Sequence, residues 1–287
     1  MVVQKALPNS EDDAGGLSGV LLSVAYDGRP FSGFALQRDR RTVAGELLGA
    51  VRAVDPRVEE VRGASRTDAG VHAYDQRVAF DPERDLPIKA WLHGLAKNLP
   101  SEIAIRGAWF VERGLVPRFC AIQKTYRYLL LAEPFRDPFL DGRAWRIPEL
   151  ASREALSLLR AEALHAVGTH DFRAFRAAAD TRPTSVRTLH SVEVSVDPER
   201  ASLIRIDVTG SSFLYNMVRI LVGALVDVGR GRRPPGIIEK AIASGDRRAL
   251  GITAPPDGLY LQSTTLRDDE TRGIASADET APESSSL

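Results

Sequence analysis

Gly63-Ala64-Ser65-Arg66-Thr67-Asp68-Ala69-Gly70-Val71-His72 is the stretch of this chain best equipped for chemistry. On an extended backbone, side chains alternate faces with period two, so Arg66 and Asp68 point the same way and can act on one target. A neighbouring guanidinium favours the ionised carboxylate and holds it through charge-assisted hydrogen bonds, so Asp68 is expected to be a poised anion. Ala69-Gly70 then lets the backbone turn tightly and leaves room for a bulky ligand. Taken alone, an Arg-x-Asp pair is usually a solvated surface contact contributing about 0–1 kcal/mol, so its meaning depends on what the rest of the chain brings to it.

Two other stretches invite attention. Arg219 lies in the apolar run Phe213-Leu214-Tyr215-Asn216-Met217-Val218-Arg219-Ile220-Leu221-Val222-Gly223. An unpaired arginine is costly to bury, so it must reach a partner, a cleft or solvent. Tyr126 sits in Lys124-Thr125-Tyr126-Arg127-Tyr128, where alternation puts it on the same face as Tyr128. For a lone tyrosine in a strand, core packing is the ordinary role. His170-Asp171 has the composition of part of a hydrolase site, but no nucleophilic serine motif accompanies it. Gly229-Arg230-Gly231-Arg232-Arg233 suits a helix C-terminus, favoured by the dipole, or a phosphate contact.

The elements that position these residues follow from the hydrophobic pattern. Strands are expected at 19–26, 58–64, 77–80 and 103–111, with helices at 42–54 and 87–95. Thr42 is placed to start the first helix, and Pro87 the second. A second series repeats the order. It has strands at 123–131, 186–196, 202–209 and 258–266, and helices at 152–166, 213–228 and 235–243. Each half reads approximately β-α-β-β-α-β, the split βαβ or ferredoxin-like order. The expected fold is therefore α/β (α+β): two antiparallel domains, 19–114 carrying the Asp68 loop and 115–267, with a cleft between them. Acidic tails at 1–18 and 268–287 are expected to be disordered.

Composition sets the limits. The 287 residues suffice for one large or two medium domains, and 44% hydrophobic with 26% charged residues is that of an ordinary globule. No apolar run is long enough to span a bilayer, and the acidic start does not read as a signal peptide, so a cytoplasmic location is expected. Cys120 is the single cysteine, and His72, His93, His165, His170 and His190 lack ligand spacing, so no metal is expected. The formal charge of zero hides a partition: the acidic termini leave a net-basic middle. Of the 38 basic residues, 33 are arginine, which permits bidentate phosphate recognition without demanding it.

Ser65 through His72 resembles, without a break, the S-R-T-D-A-G-V-H signature of the tRNA pseudouridine synthase A (TruA) family. Lys124 to Tyr128 is similar to that family's K/R-x-Y-R-Y strand, and Phe213 to Gly223 to its F-x-x-x-M-V-R-x-x-V-G helix. Gly258-Leu259-Tyr260-Leu261 matches its G-L-Y-L. Tyr26-Asp27-Gly28 with Gly33-Phe34 and Gln37 resembles its opening motif, and Asp171-Phe172 with Phe175-Arg176 its D-F-x-x-F-R. The likeness spans roughly residues 19–267. It departs at Ala44, at Phe34 where tryptophan is frequent, and in the approach to Tyr126 through Cys120.

The resemblance implies two ferredoxin-like domains whose antiparallel sheets join into one broad sheet, with the active site in the central cleft. It implies that Asp68 is the catalytic aspartate and that Arg66 and Arg219 hold Asp68 and the displaced nucleotide. Tyr126 would stack on the target base and Leu259 would line the uracil pocket. The implied reaction is isomerisation of uridine to pseudouridine at positions 38–40 of the tRNA anticodon stem-loop, by a homodimer, without a cofactor. Asp68 could attack C1′, add to the base or remove a sugar proton; the sequence leaves all three open. A single carboxylate suits rearrangement better than hydrolysis, which usually needs a second acid to activate water. The rival reading is a tRNA-folding chaperone with vestigial catalysis, which would be expected to lack one of these four polar residues.

Overall fold

The computed structural model describes residues 18–267, so the two acidic tails, apart from Ser18, lie outside the described residues. The first half opens with β1 (Gly19–Tyr26), which pairs antiparallel with both β3 (His72–Phe80) and β4 (Ile103–Val111). Helix α1 (Val43–Val54) starts at Thr42, whose hydroxyl accepts a hydrogen bond from Gly45 N at 3.2 Å. That satisfies one of the amides a first helical turn leaves without a partner. Leu47, Leu48 and Val51 on α1, and Trp91 and Leu95 on α2 (Ile88–Asn98), pack with Val20, Leu22 and Val24 of β1. Trp91 meets Phe80 edge-on, with ring centroids 5.1 Å apart. Each such side chain contributes about 1.5–3 kcal/mol by leaving water.

The second half runs from α3 (Pro117–Cys120) into β5 (Ala121–Leu131), then through β6 (Trp145–Arg146), α4 (Arg153–Leu164), β7 (Gly168–Asp171), β8 (Val186–Val196) and β9 (Leu203–Gly210). Helices α5 (Met217–Gly229) and α6 (Ile237–Ser244) precede β10 (Leu259–Leu266). Leu159 of α4, Leu221 and Leu225 of α5, and Ile204, Ile206 and Val208 of β9 share one core with Phe172 and Phe175. The two phenylalanines of the D-F-x-x-F-R stretch are therefore interior packing.

The ten strands among the described residues form one sheet, ordered β4-β1-β3-β10-β5-β9-β8-β7, with β2 (Arg62–Gly63) beside β3 and β6 beside β5. The orders β4-β1-β3-β2 and β10-β5-β9-β8 are each fourth-first-third-second, the ferredoxin-like arrangement. Strand β10 is the seam. It runs antiparallel to β5 from Leu259↔Tyr128 to Leu266↔Ala121, and parallel to β3 only at Tyr260↔His72 and Leu261↔Ala73. One edge of β3 is thus shared, with β2 holding its far end at Ala79 and Val78 and β10 its near end. The chain from Ala64 to Val71 emerges from the fork between them.

The short elements α3, β6 and β7 were not expected, and three of the expected elements differ by four residues or more. The strand expected at 58–64 shrinks to Arg62–Gly63 because the Arg52 guanidinium takes the carbonyls of Val58 and Glu59, at 2.8 and 3.0 Å, that a neighbouring strand would have used. The helix expected from 213 starts at Met217, since Asn216 adopts φ 60° and breaks it. Phe213 and Tyr215 are therefore loop residues. Strand β3 begins at His72 and not at 77: Asp75 and Gln76 interrupt the apolar pattern, but Ser23 Oγ donates to Asp75 at 2.7 Å and Gln76 is paired with Ser65. Among the described residues, no helix is long and apolar enough to cross a membrane.

Candidate active site

The Asp68 loop is held at nearly every residue. Ala64 N donates to Arg77 O at 2.8 Å, and Lys124 Nζ donates to Ala64 O at 2.6 Å. Gln76, fully buried, brackets Ser65: its Oε1 accepts from Ser65 N at 3.1 Å and its Nε2 donates to Ser65 O at 2.6 Å. The Thr67 hydroxyl lies 2.7 Å from the Tyr26 hydroxyl, and Phe34 N donates to Thr67 O at 3.0 Å. The loop closes in a turn in which Val71 N donates to Asp68 O at 3.2 Å and Gly70 takes φ 79°, a conformation that favours glycine. At its end the buried His72 ring stacks on Tyr260, with centroids 4.5 Å apart, and bridges Gly28 N and Gly142 O. The opening motif around Tyr26 and Phe34 is thus the bed on which the loop rests.

Asp68 meets its cation from the other half of the chain. Arg219 Nη1 lies 3.6 Å from Asp68 Oδ2, with both side chains partly buried. The arginine is fixed: Nε donates to Ala254 O at 2.8 Å, Nη1 to Asn216 Oδ1 at 3.0 Å, and Ala254 N in turn donates to Arg219 O at 3.0 Å. This packing of residues 252–254 along α5 needs Gly223, where an added Cβ would stand 2.0 Å from Ile252 O. So the arginine in the apolar helix reaches a cleft, as its cost of burial required.

Two expectations about Asp68 are corrected. Arg66 lines the same cleft but is exposed at its mouth, and among the described residues it makes no ion pair with Asp68. A flexible side chain two residues away can stay in water, whereas one anchored on a helix cannot. Second, the Asp68 carboxyl is raised above its usual value, not lowered: burial outweighs the attraction of Arg219.

Tyr126 comes from β5, opposite Leu261 of β10 and Val208 of β9. It is half-buried, packs against both cores, and takes Phe213 edge-on with centroids 5.0 Å apart. Burial pushes its phenol up and outweighs the opposing pull of Ser65, with the Asp68 charge adding to the rise, so it stays neutral. Tyr128 on the same face is fully buried and donates to Pro255 O at 2.7 Å, the packing partner that alternation indicated. Leu259, paired with Tyr128, is buried at the wall.

All five residues singled out in the sequence, Arg66, Asp68, Tyr126, Arg219 and Leu259, line one cleft of about 880 Å³. Arg118, Lys124, Arg182 and Arg187 line it too, and among the described residues only Asp68 and Asp180 line it as acids. A cleft of one dominant sign concentrates ligands of the other, here a polyanion. Asp180 caps Tyr215 N at 2.8 Å, and Arg182 donates to Phe213 O, so this pair orders the segment leading into α5. Gln76 and Arg182 carry no mark in the sequence, and Lys124, Phe213 and Asn216 stand there only as members of longer stretches, with no role of their own. The partners of Gln76, Lys124, Phe213 and Arg182 lie 11 or more residues away, whereas Asn216 bonds Arg219 three residues on, from a loop position that the apolar pattern had assigned to the helix. His170 bonds Val167 O at 2.9 Å, and Asp171 accepts from Ser185 and Arg173, so that pair is structural.

A family model described as tRNA pseudouridine synthase matches residues 163–265. The tRNA pseudouridine synthase A of Staphylococcus saprophyticus subsp. saprophyticus is 33% identical over 251 residues, covering 88% of this chain and 92% of that protein. The protein of the same name from Staphylococcus aureus (strain Newman) is 35% identical with the same coverage. Among solved structures, a Cbf5-Nop10-Gar1 complex aligns with a TM-score of 0.32 and 13% identity over 88% of this chain and 50% of that one, too slight a likeness to bear on this site. The identity and span of the two Staphylococcus relatives place this chain in the tRNA pseudouridine synthase A family.

Proposed function

We propose that this member of the family isomerises uridine to pseudouridine at positions 38–40 of the tRNA anticodon stem-loop, with Asp68 as its catalytic group. The observation that carries the reading is convergence: Asp68 from a loop of the first half, and Tyr126 and Arg219 from a strand and a helix of the second, line one basic cleft.

The reaction breaks the C1′–N1 bond, turns the freed uracil, forms C1′–C5 and releases the C5 proton. The base must first leave its stack and then be kept from escaping, which calls for an enclosed pocket. Tyr126 stacks on the extruded base, and stacking contributes about 1–3 kcal/mol per base, close to the cost of unstacking it. Leu259 limits the pocket. Arg219 holds Asp68, and Arg66, exposed at the mouth, takes the nucleotide's backbone. Asp68 reacts as its anion, whether at C1′, at the base or on a sugar proton. We further propose that the chain divides near residue 114 into two domains, and that it acts as a cytoplasmic homodimer.

The test is release of tritium from tRNA labelled at uracil C5, with position mapped by sequencing the product. Wild type releases tritium from positions 38–40, and Asp68→Asn releases essentially none while still binding tRNA. Equal release by both overturns the assignment of Asp68. A wild type that binds tRNA but releases nothing would turn the reading toward a chaperone.

A further inference from the structure

Lys124 is a cation in the cleft that the reaction above leaves unused. It stands two residues before Tyr126 on β5, so period-two alternation puts both on one face of the strand. Its Nζ donates to Ala64 O at 2.6 Å, across 60 residues of sequence. Ala64 is 1% exposed and occupies the bend that leads into Ser65-Arg66-Thr67-Asp68. β5 and β3 are not neighbours, because β10 lies between them and pairs with β3 only at Tyr260 and Leu261. Close to the fork, therefore, this side chain ties the loop bearing Asp68 to the strand bearing Tyr126.

We propose that Lys124 is a positioning residue for the reaction, setting the depth of the Asp68 loop against the Tyr126 ring. An ammonium donating to a carbonyl makes a charge-assisted bond, stronger than a neutral one. The site is unfavourable for a charge: burial, and then Arg118 and Arg182, push the lysine down to about 8. A cation kept at such a place is better explained by what it holds than by stability. The inference rests on the reading of Asp68 as the catalytic group, and it asks what fixes that group's distance from the stacked base.

Lys124→Met and Lys124→Arg are compared with wild type in three measurements: single-turnover rate at saturating tRNA, Kd for tRNA at two salt concentrations, and amide hydrogen exchange of residues 64–71. Loss of the tie is expected to slow the single-turnover step about 10- to 100-fold, the range a displacement of about 1 Å produces. Kd stays within about twofold of wild type, exchange in the loop quickens, and Lys124→Arg, which keeps a charged donor, recovers most of the rate. An unchanged rate with weaker, less salt-dependent binding overturns the proposal and makes Lys124 a phosphate contact. Unchanged rate, Kd and exchange overturn it in favour of a spectator. If Lys124→Met fails to fold, Lys124→Gln carries the same three readouts. An inactive wild type would count against the isomerase reading alone, because exchange in the loop judges the tie without turnover.

Discussion

Arg219 Nη1 stands 3.6 Å from Asp68 Oδ2, and the same guanidinium is bound to Asn216 and to the carbonyl of Ala254. The carboxylate we propose as catalytic, in one half, is thus partnered by a cation that the other half has already immobilised. Nothing about the arginine needs to reorganise when the base arrives, which is the condition under which electrostatic stabilisation is most effective. Replacing Arg219 by Met is expected to lower kcat by on the order of 10²–10³-fold, the range found when one fixed donor is removed from a reacting centre. Arg219→Lys recovers only part, because a point charge cannot bond Ala254 and Asn216 while also facing Asp68. Single-turnover kinetics of both variants on one tRNA decides this, and a Met variant turning over like wild type would refute it.

The raised Asp68 carboxyl sets a pH dependence. Activity needs the anion, so the acid limb of kcat/KM should lie above the ordinary carboxylate value of 3.8, and Arg219→Met should move it higher still. Stability follows the same sign. The folded state binds this proton more tightly than the unfolded chain does, so ionising Asp68 as pH rises from 3.8 through the folded value costs stability. Asp68→Asn, which mimics the protonated acid, should accordingly melt no lower than wild type at neutral pH. The difference should vanish below pH 3.8. Thermal melts from pH 3 to 8 test this, and a mutant that loses stability only at neutral pH would contradict it.

Arg66 behaves differently because it stays in solvent and leaves Asp68 unpaired from its side. Arg66→Met should raise Kd for tRNA and reduce the slope of log K against log salt by about one, the signature of one lost phosphate contact. The acid limb of kcat/KM should not move. A shift of that limb as large as the one in Arg219→Met would show that Arg66 grips the carboxylate in the complex.

Gly223→Ala tests the anchoring of Arg219 from behind. The added methyl would fall 2.0 Å from Ile252 O, so the segment carrying Ala254 must move off α5. Overpacking of this kind costs about 1–3 kcal/mol, and the carbonyl holding Arg219 moves with it. Urea melts should show the loss of stability, and turnover measured where the variant is fully folded should still be reduced. A variant that loses stability alone would make Gly223 a packing residue with no hold on the arginine.

Tyr126 separates stacking from hydroxyl chemistry. Its ring packs on Phe213 and its phenol stays neutral, so Tyr126→Phe should keep most of the rate, and Tyr126→Leu should lose it along with about 1–3 kcal/mol of base stacking. Rates with tRNA in excess and in limiting amount distinguish the two variants. Equal loss in both would assign the hydroxyl a part in the chemistry.

The sequence by itself determined the kinds of group involved and the elements that carry them. Periodicity located β4 and β8 to the residue, and the caps at Thr42 and Ser152 started α1 and α4 where expected, because these are short-range effects written in consecutive side chains. The unbroken run from Ser65 to His72 marked the loop we propose as reactive, and an arginine stranded in an apolar helix announced that it had a partner. What that partner was, only the tertiary structure decided. An Arg-x-Asp spacing pointed to Arg66, yet Arg219 arrives beside Asp68 because β10, the last strand among the described residues, inserts between β3 and β5 and brings the two halves edge to edge. The direction in which Asp68 shifts was likewise undetermined, since it balances burial against a charge and neither quantity exists before the cleft closes. The roles of Gln76 and Lys124 were unreadable for the same reason: each bonds a group that only folding brings within reach.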